Sequence, residues 1–518
     1  MSAIITDQLR ILNAKEFVAS VASTSNSYYS FVGLPNATEV SSAWNTSPPD
    51  PRDNFDEENN YWDTMIALKK INESDVKQVV RKNTWASGVN YDMYRHDIKA
   101  NNPSKPSNAI SLYEANYYVI NSDFKVYICL QNGTDPENPN GRASLDEPTF
   151  TDLEPREAGT SGDGYVWKYL FTISPSDIIK FDSTNFIPVP KDWETNTTDA
   201  SVRNNASTSG QLKIVTITNR GVGVGTANRT YTRVPIKGDG NGAEATVVIN
   251  NNAKVESVTI SNGGEGYTFG TVDLAAGGAP TGSTSPIFNV IIPPQGGHGA
   301  DIYRELGARN TLIYSRIEND SENPDFITGN EIARIGIVQN PQAFSSTENL
   351  GLDKASAVYG LKLTGAGYSS ATFAADAFIT QTVGLGSTAV GRVVSYDSTT
   401  GVLKYWQDRS LAGFNTDGTQ DTSPVYGNRL LRFTSTPGAS GGSLNILGGS
   451  TTLAIHTAFT GVSTVINNRT YYLGQSFSDG VANPEVKKYS GNIIYIDNRP
   501  SITRSTSQKE DIKVILQF

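Results

Sequence analysis

Four sets of residues are of types that could take part in site chemistry. Gly438-Ala439-Ser440-Gly441-Gly442 carries the G-x-S-x-G spelling of a nucleophile elbow. That device needs a buried strand before the serine and a helix after it. Here Thr434-Ser435-Thr436-Pro437 precedes and Gly442-Ser443-Leu444-Asn445 follows, so the segment reads as a loop. Gly221-Val222-Gly223-Val224-Gly225 invites a phosphate loop, but the Gly-Lys-Ser/Thr ending is absent and no helix follows to offer its amides. A turn or bulge is the expectation there. His96, His298 and His456 are far apart and lack paired ligand spacing. His298, in Gly296-Gly297-His298-Gly299-Ala300-Asp301, sits where glycines let backbone approach closely, which suits a structural histidine. Asp56-Glu57-Glu58 would serve glycan hydrolysis only if two carboxylates converged in space; as written it is a helix start. The sequence therefore predicts no catalytic residue, no metal ligand and no cofactor.

The elements come next. Gly162-Asp163-Gly164 is a turn that feeds Tyr165-Val166-Trp167-Lys168-Tyr169-Leu170-Phe171. Alternation places Tyr165, Trp167 and Tyr169 on one strand face and Val166, Lys168 and Leu170 on the other. Large aromatics sharing a strand face pack inward, so a core strand is expected rather than a display of aromatics to a partner. Asp7 caps a helix to about Ser20, and a second helix is predicted from Asp56 to Lys70, where Trp62, Met65, Ile66 and Lys69 follow helical spacing. Tyr28 to Gly33 reads as a strand, and Trp44 to Asp53, with Pro48, Pro49 and Pro51, as an extended loop. Tyr117–Ile120 and Phe124–Leu130 flank a turn and form a hairpin; Gln131 to Glu157 is a polar loop.

Beyond about Asn196 the composition shifts to short β-branched runs between Gly/Asn turns. Ala245, Val247 and Ile249 alternate with Thr246 and Val248, and Val255 to Ile260 returns. A second such region contains the hairpin Val390–Tyr396 and Val402–Trp406. Thr311–Ile317 and Glu331–Gln339 read as strands, and Ile512, Val514, Leu516 and Phe518 form one apolar face of a last strand.

At 518 residues the chain holds two to four cores. Its 47 glycines and 24 prolines fit β-rich structure with frequent turns. Forty-two basic against 52 acidic residues give −10 with no basic tract, which argues against nucleic acid as a partner. One cysteine, Cys129, excludes an intrachain disulfide and sits in an apolar run. No secretory leader and no long apolar span is visible, so no membrane insertion is expected.

Four blocks carry a family resemblance. They are Tyr28 to Trp85, Tyr117 to Pro190 centred on Gly162 to Phe171, Arg334-Ile335-Gly336-Ile337-Val338-Gln339-Asn340-Pro341, and Ser490 to Phe518 with Asn498-Arg499-Pro500. In these the chain resembles the baseplate wedge subunit (gene product eight) of T-even-like contractile-tailed bacteriophages. The motif residues are Gly162, Asp163, Gly164, Tyr165, Trp167, Asn498, Arg499 and Pro500.

The resemblance implies an α+β, predominantly β fold: a β-sandwich domain plus an α/β domain completed by both chain termini. Mapped here, these are 1–86 with 300–350 and 486–518 for the α/β domain and 87–205 for the sandwich, with Gly-rich β insertions at 206–299 and 351–485. It further implies a non-enzymatic virion protein of the tail baseplate, made in the host bacterial cytoplasm. Such a protein is a homodimer that joins other wedge proteins and rearranges on tail contraction. The alternative is a receptor- or carbohydrate-binding tail protein, with Tyr405 and Trp406 as sugar platforms.

Overall fold

A computed structural model describes residues 3–35, 42–206, 208–280, 282–318, 331–385, 387–407, 431–503 and 509–518. The fold is α+β and mainly β. It divides into two compact units: Met1–Val18, Lys77–Leu312 and Val514–Phe518 form the first, and Ala19–Val76 with Ile313–Lys513 the second.

The first unit is built on an antiparallel sheet in the order Tyr118–Ile120, Lys125–Asn132, Tyr165–Thr172, Arg156–Glu157. The predicted hairpin is present. Its turn is held by Asn121, whose Oδ1 accepts the backbone N–H groups of Asp123 (3.0 Å) and Lys125 (2.8 Å), a side-chain mimic of a backbone turn. The aromatic strand corrects the simple alternation. Lys168, Leu170 and Phe171 are buried along with Tyr165 and Trp167, whereas Tyr169 is half-buried. Both faces of this central strand are covered. A register shift at Val126/Tyr127 leaves Leu170 as an extra residue beside buried Phe171, and a second at Cys129/Gln131 leaves Leu130 extra on the partner strand.

In the same unit, the Gly-rich region forms its own core from Leu212 to Ile292. The chain comes in along Ile214–Asn219 and leaves along Ile287–Ile291, and these strands pair antiparallel with Ile214 opposite Ile291. Beyond them lies a sheet in the order Val255–Glu265, Asn241–Ile249, Arg229–Gly238, Gly270–Val272. Ala245, Val247 and Ile249 are buried at every second position, in keeping with their alternation in the sequence, Ala243 extends the row, and the return strand runs on to Glu265.

The second unit centres on an antiparallel sheet in the order Lys354–Ser356, Met65–Ile71, Tyr28–Gly33, Glu331–Gln339, Asn492–Thr503. The predicted helix to Lys70 is corrected here. The helix is Phe55–Thr64, begun by Asn54, whose side chain accepts the Glu57 N–H, and Met65–Ile71 is a strand. Met65, Ile66, Ala67 and Leu68 are all buried, because a strand between two others and covered on both faces needs no polar side. The helical spacing of Trp62, Met65 and Ile66 thus spans the end of the helix and the start of a buried strand. Trp44 also departs from the extended reading, lying in a short helix, Ser42–Thr46.

The second Gly-rich region, in this same unit, closes into a barrel. Its strands follow the order Val402–Trp406, Ser387–Asp397, Phe378–Gly384, Asn445–Gly448, Thr451–Ile455, Tyr359–Thr364, and the last pairs back to the first with Tyr359 opposite Tyr405. Leu361, Leu363, Ile379, Val393, Leu403 and Ile446 fill it. A hairpin follows, Gly461–Ile466 with Arg469–Phe477, whose turn residues Asn467 and Asn468 both take positive φ, 51° and 63°. That is the geometry of a tight two-residue hairpin turn, and Asn tolerates it well.

Candidate functional site

The Gly162-Asp163-Gly164 turn is shaped by backbone that only glycine adopts cheaply, with φ of 67° at Gly162 and 82° at Gly164. A Cβ on Gly164 would lie 2.9 Å from the Gly133 Cα. Asp163 ties the turn down. Its Oδ1 accepts the Tyr165 N–H at 2.9 Å and its Oδ2 the Leu145 N–H at 2.8 Å. Tyr165 then enters the core, where its hydroxyl accepts from Tyr91 N (2.9 Å) and donates to Arg142 O (2.7 Å). Trp167 stacks on Tyr165 with ring centres 5.4 Å apart and meets Tyr91 edge-on at 5.9 Å. These aromatics are sealed in the core, as expected of a scaffold strand, and present no face outward.

Asn498, Arg499 and Pro500 lie on Asn492–Thr503, an edge strand of the second unit's sheet. Asn498 Oδ1 accepts from Arg334 Nε at 2.9 Å, and its Nδ2 donates to Pro49 O at 3.0 Å. Arg334 is only 1% exposed. Its Nη1 donates to Thr64 Oγ1 at 2.6 Å, and its guanidinium lies over Tyr61 (4.6 Å) and Trp44 (5.7 Å). A planar cation with directed donors suits such an aromatic box better than lysine would. The Trp44 indole donates to Arg499 O at 2.9 Å, and Asn45 Oδ1 accepts the Ser501 N–H at 3.3 Å. Pro500 is exposed and has no N–H to offer, which an edge strand tolerates. Sequence reasoning placed Arg334 in a family block but gave it no role. The available signal was one cation inside the apolar run Ile332-Ala333-Arg334-Ile335.

Buried ionisable groups gather in the first unit, and most of them went unnoticed in the sequence. Glu305 Oε1 meets His298 Nδ1 at 2.6 Å, and its Oε2 accepts the Gly299 N–H at 2.7 Å. Tyr94 stands edge-on to the His298 ring at 4.7 Å. Lys168 Nζ donates to Leu153 O (2.6 Å) and to Asn205 Oδ1 (2.9 Å). Asn205 passes the connection to Glu154 Oε1 (2.9 Å), whose Oε2 accepts from Lys213 (2.8 Å). Burial pulls the Lys168 ammonium down to about 8, against the opposing attraction of Glu154 and Glu305. Burial likewise pushes the Cys129 thiol up, away from reactive thiolate character. With His298 and Lys168 sealed and their partners committed, the cluster works as a strut between loops and strand.

The other chemistry-bearing sequences are dispersed. Gly438–Gly442 lies in turns ahead of the strand Asn445–Gly448. Gly221, Gly223 and Gly225 each take positive φ in a loop after Ile214–Asn219. His96 Nδ1 accepts the Ile292 N–H at 3.2 Å, and His456 stacks on Phe459. Asp56, Glu57 and Glu58 form the first turn of Phe55–Thr64. Among the described residues no three His, Cys, Asp or Glu side chains gather where a metal ion could be held. No helix among them is long and apolar enough to cross a membrane.

Tyr405 and Trp406 require a correction. They are 1% and 3% exposed, and inside the barrel Tyr405 stacks on Tyr359 and meets Phe433 edge-on. Aromatics sealed in this way offer no platform to a sugar ring. No protein-family model matches the chain, and no curated protein is similar enough in sequence to count as a relative.

Proposed function

We propose that this chain is a structural, non-enzymatic subunit of the baseplate wedge in a contractile phage tail. It acts as a homodimer in the virion and binds neighbouring wedge proteins, without nucleic acid or membrane insertion. The observation that carries the reading is the role of the motif residues. Gly164, Asp163, Tyr165 and Trp167 build a core strand, and Asn498 locks a buried arginine, so the resemblance rests on scaffold rather than on a reaction centre. A scaffold of several separately cored β modules suits work done by re-registering contacts between neighbours, which needs interfaces with two packings of similar energy.

The test is co-expression with candidate wedge proteins of a contractile tail, followed by light scattering. Expected are a species of twice the 55.8 kDa chain mass when alone and a larger stable complex with a wedge protein. A monomer that captures none of them overturns the reading.

A further inference from the structure

Lys168 lies on the central strand Tyr165–Thr172 and is only 2% exposed, yet among the described residues no carboxylate pairs with it. Both of its acceptors are neutral, Leu153 O at 2.6 Å and Asn205 Oδ1 at 2.9 Å. Buried ammonium groups ordinarily sit on a carboxylate, because the charge is costly without one. Burial and the nearby Lys213 favour the uncharged amine here, while Glu154 and Glu305 pull the other way. A neutral amine fills the two acceptors with its two N–H groups and keeps one lone pair, which makes it a nucleophile.

Asn205, the last residue of the helix Ala200–Asn205, offers that lone pair a target. Its carboxamide is held at both ends, with Oδ1 on Lys168 and Nδ2 donating to Glu154 Oε1 at 2.9 Å. Asn205 Cγ is one bond from Oδ1, so Nζ needs only a short approach to reach a near-attack separation of roughly 3–3.5 Å. Lys213 Nζ, 2.8 Å from Glu154 Oε2, anchors the carboxylate. Amine, amide and carboxylate thus stand in a row, and the carboxylate touches the nitrogen that would have to leave.

We propose that Lys168 and Asn205 join through an intramolecular isopeptide bond, with Glu154 as the proton carrier. Lys168 Nζ attacks Asn205 Cγ, the adduct's Nζ gives up a proton, Glu154 delivers one to Nδ2, and the Cγ–Nδ2 bond breaks to release ammonia. Nothing is oxidised or reduced, and no co-reactant enters. The event happens once per molecule and does not depend on the scaffold reading. It ties the central strand to the point where the chain departs for the Gly-rich module, whose core begins at Leu212. The Glu154 side chain is 64% exposed, which weakens its hold on the transferred proton and makes linking slow beside folding. Chain held near pH 6 keeps the amine protonated and unlinked, the form in which Lys168 titrates.

The test follows the full chain by intact mass and by tandem mass spectrometry of its peptides, after transfer from about pH 6 to about pH 9. Expected is the loss of one ammonia, faster at the higher pH, with a branched peptide joining the Lys168 and Asn205 segments. Lys168→Met and Asn205→Ala should keep the full mass. Glu154→Gln, whose thermal midpoint checks that it folds, should slow linking at least about tenfold. Folded wild-type chain that keeps its full mass at pH 9 would overturn the assignment. So would ammonia loss confined to a linear peptide, which marks a succinimide, or an equal rate in Glu154→Gln or in urea-unfolded chain.

Discussion

The two glycine-rich regions solve the same problem differently. Each leaves its parent structure and returns through neighbouring backbone. In the first, Ile214 and Ile291 face each other; in the second, Gly360 pairs with Ala482, and Glu485 N donates to Ser356 O at 2.8 Å. Beyond that point they diverge. The first builds an open sheet, while the second pairs Tyr359–Thr364 with Val402–Trp406 and closes. Closure removes the unpaired edges of those strands and seals a core on all sides. The lesson is that similar composition, alternating β-branched residues and Gly/Asn turns, leaves closure to a few long-range pairings.

That contrast can be broken or sharpened by four measurements. Leu403→Ala should cost about 4 kcal/mol, because a closed barrel collapses poorly around a void. Chemical denaturation should show the loss in the barrel and leave the Leu212–Ile292 core unmoved. Lys168 gives the next effect, as a pH dependence. Its folded value of about 8 lies below the unfolded 10.5, so the unfolded chain holds the extra proton between them and stability rises with pH across that window. The rise should approach about 3 kcal/mol. It should be absent in Lys168→Met, and a first-unit transition that falls from pH 8 to 10 would contradict the burial argument.

Val247→Ala removes two methyls from the open sheet and should cost about 2 kcal/mol, less than the barrel substitution. An equal or larger loss would mean that openness does not ease relaxation. Smallest is Arg220→Ala. This arginine joins Glu137 at 2.8 Å and reaches toward Asp135 at 3.8 Å, tying the open module to the facing loop. Glu137 is well exposed, so the expected loss is about 1 kcal/mol and should shrink in high salt.

Much of the local structure was legible in the sequence. Tyr28–Gly33, Glu331–Gln339 and Val402–Trp406 were readable because each is a β-rich run bounded by turn residues, and the observed bounds match. The helix at Phe55–Thr64 was overrun into Met65–Ile71, since a fully buried strand has no polar face and carries no two-residue period. Remote pairing was out of reach altogether. Tyr28–Gly33 sits between Met65–Ile71 and Glu331–Gln339, and no local pattern announces the second of these partners. The same holds for Arg334, whose box draws on Trp44, Tyr61, Thr64 and Asn498 from three separate stretches. Side chains that act together across such distances leave only single odd residues in the text of the chain.

The rim at Asn492–Thr503 has one more effect. Trp44 occupies the Arg499 carbonyl and Asn45 the Ser501 N–H, and Pro500 between them has no N–H to donate. A foreign strand laid along this stretch would find its hydrogen-bonding ladder interrupted three residues in a row. Growth of the sheet by endless lateral stacking of copies is thereby checked, which keeps this rim from seeding aggregates at high protein concentration.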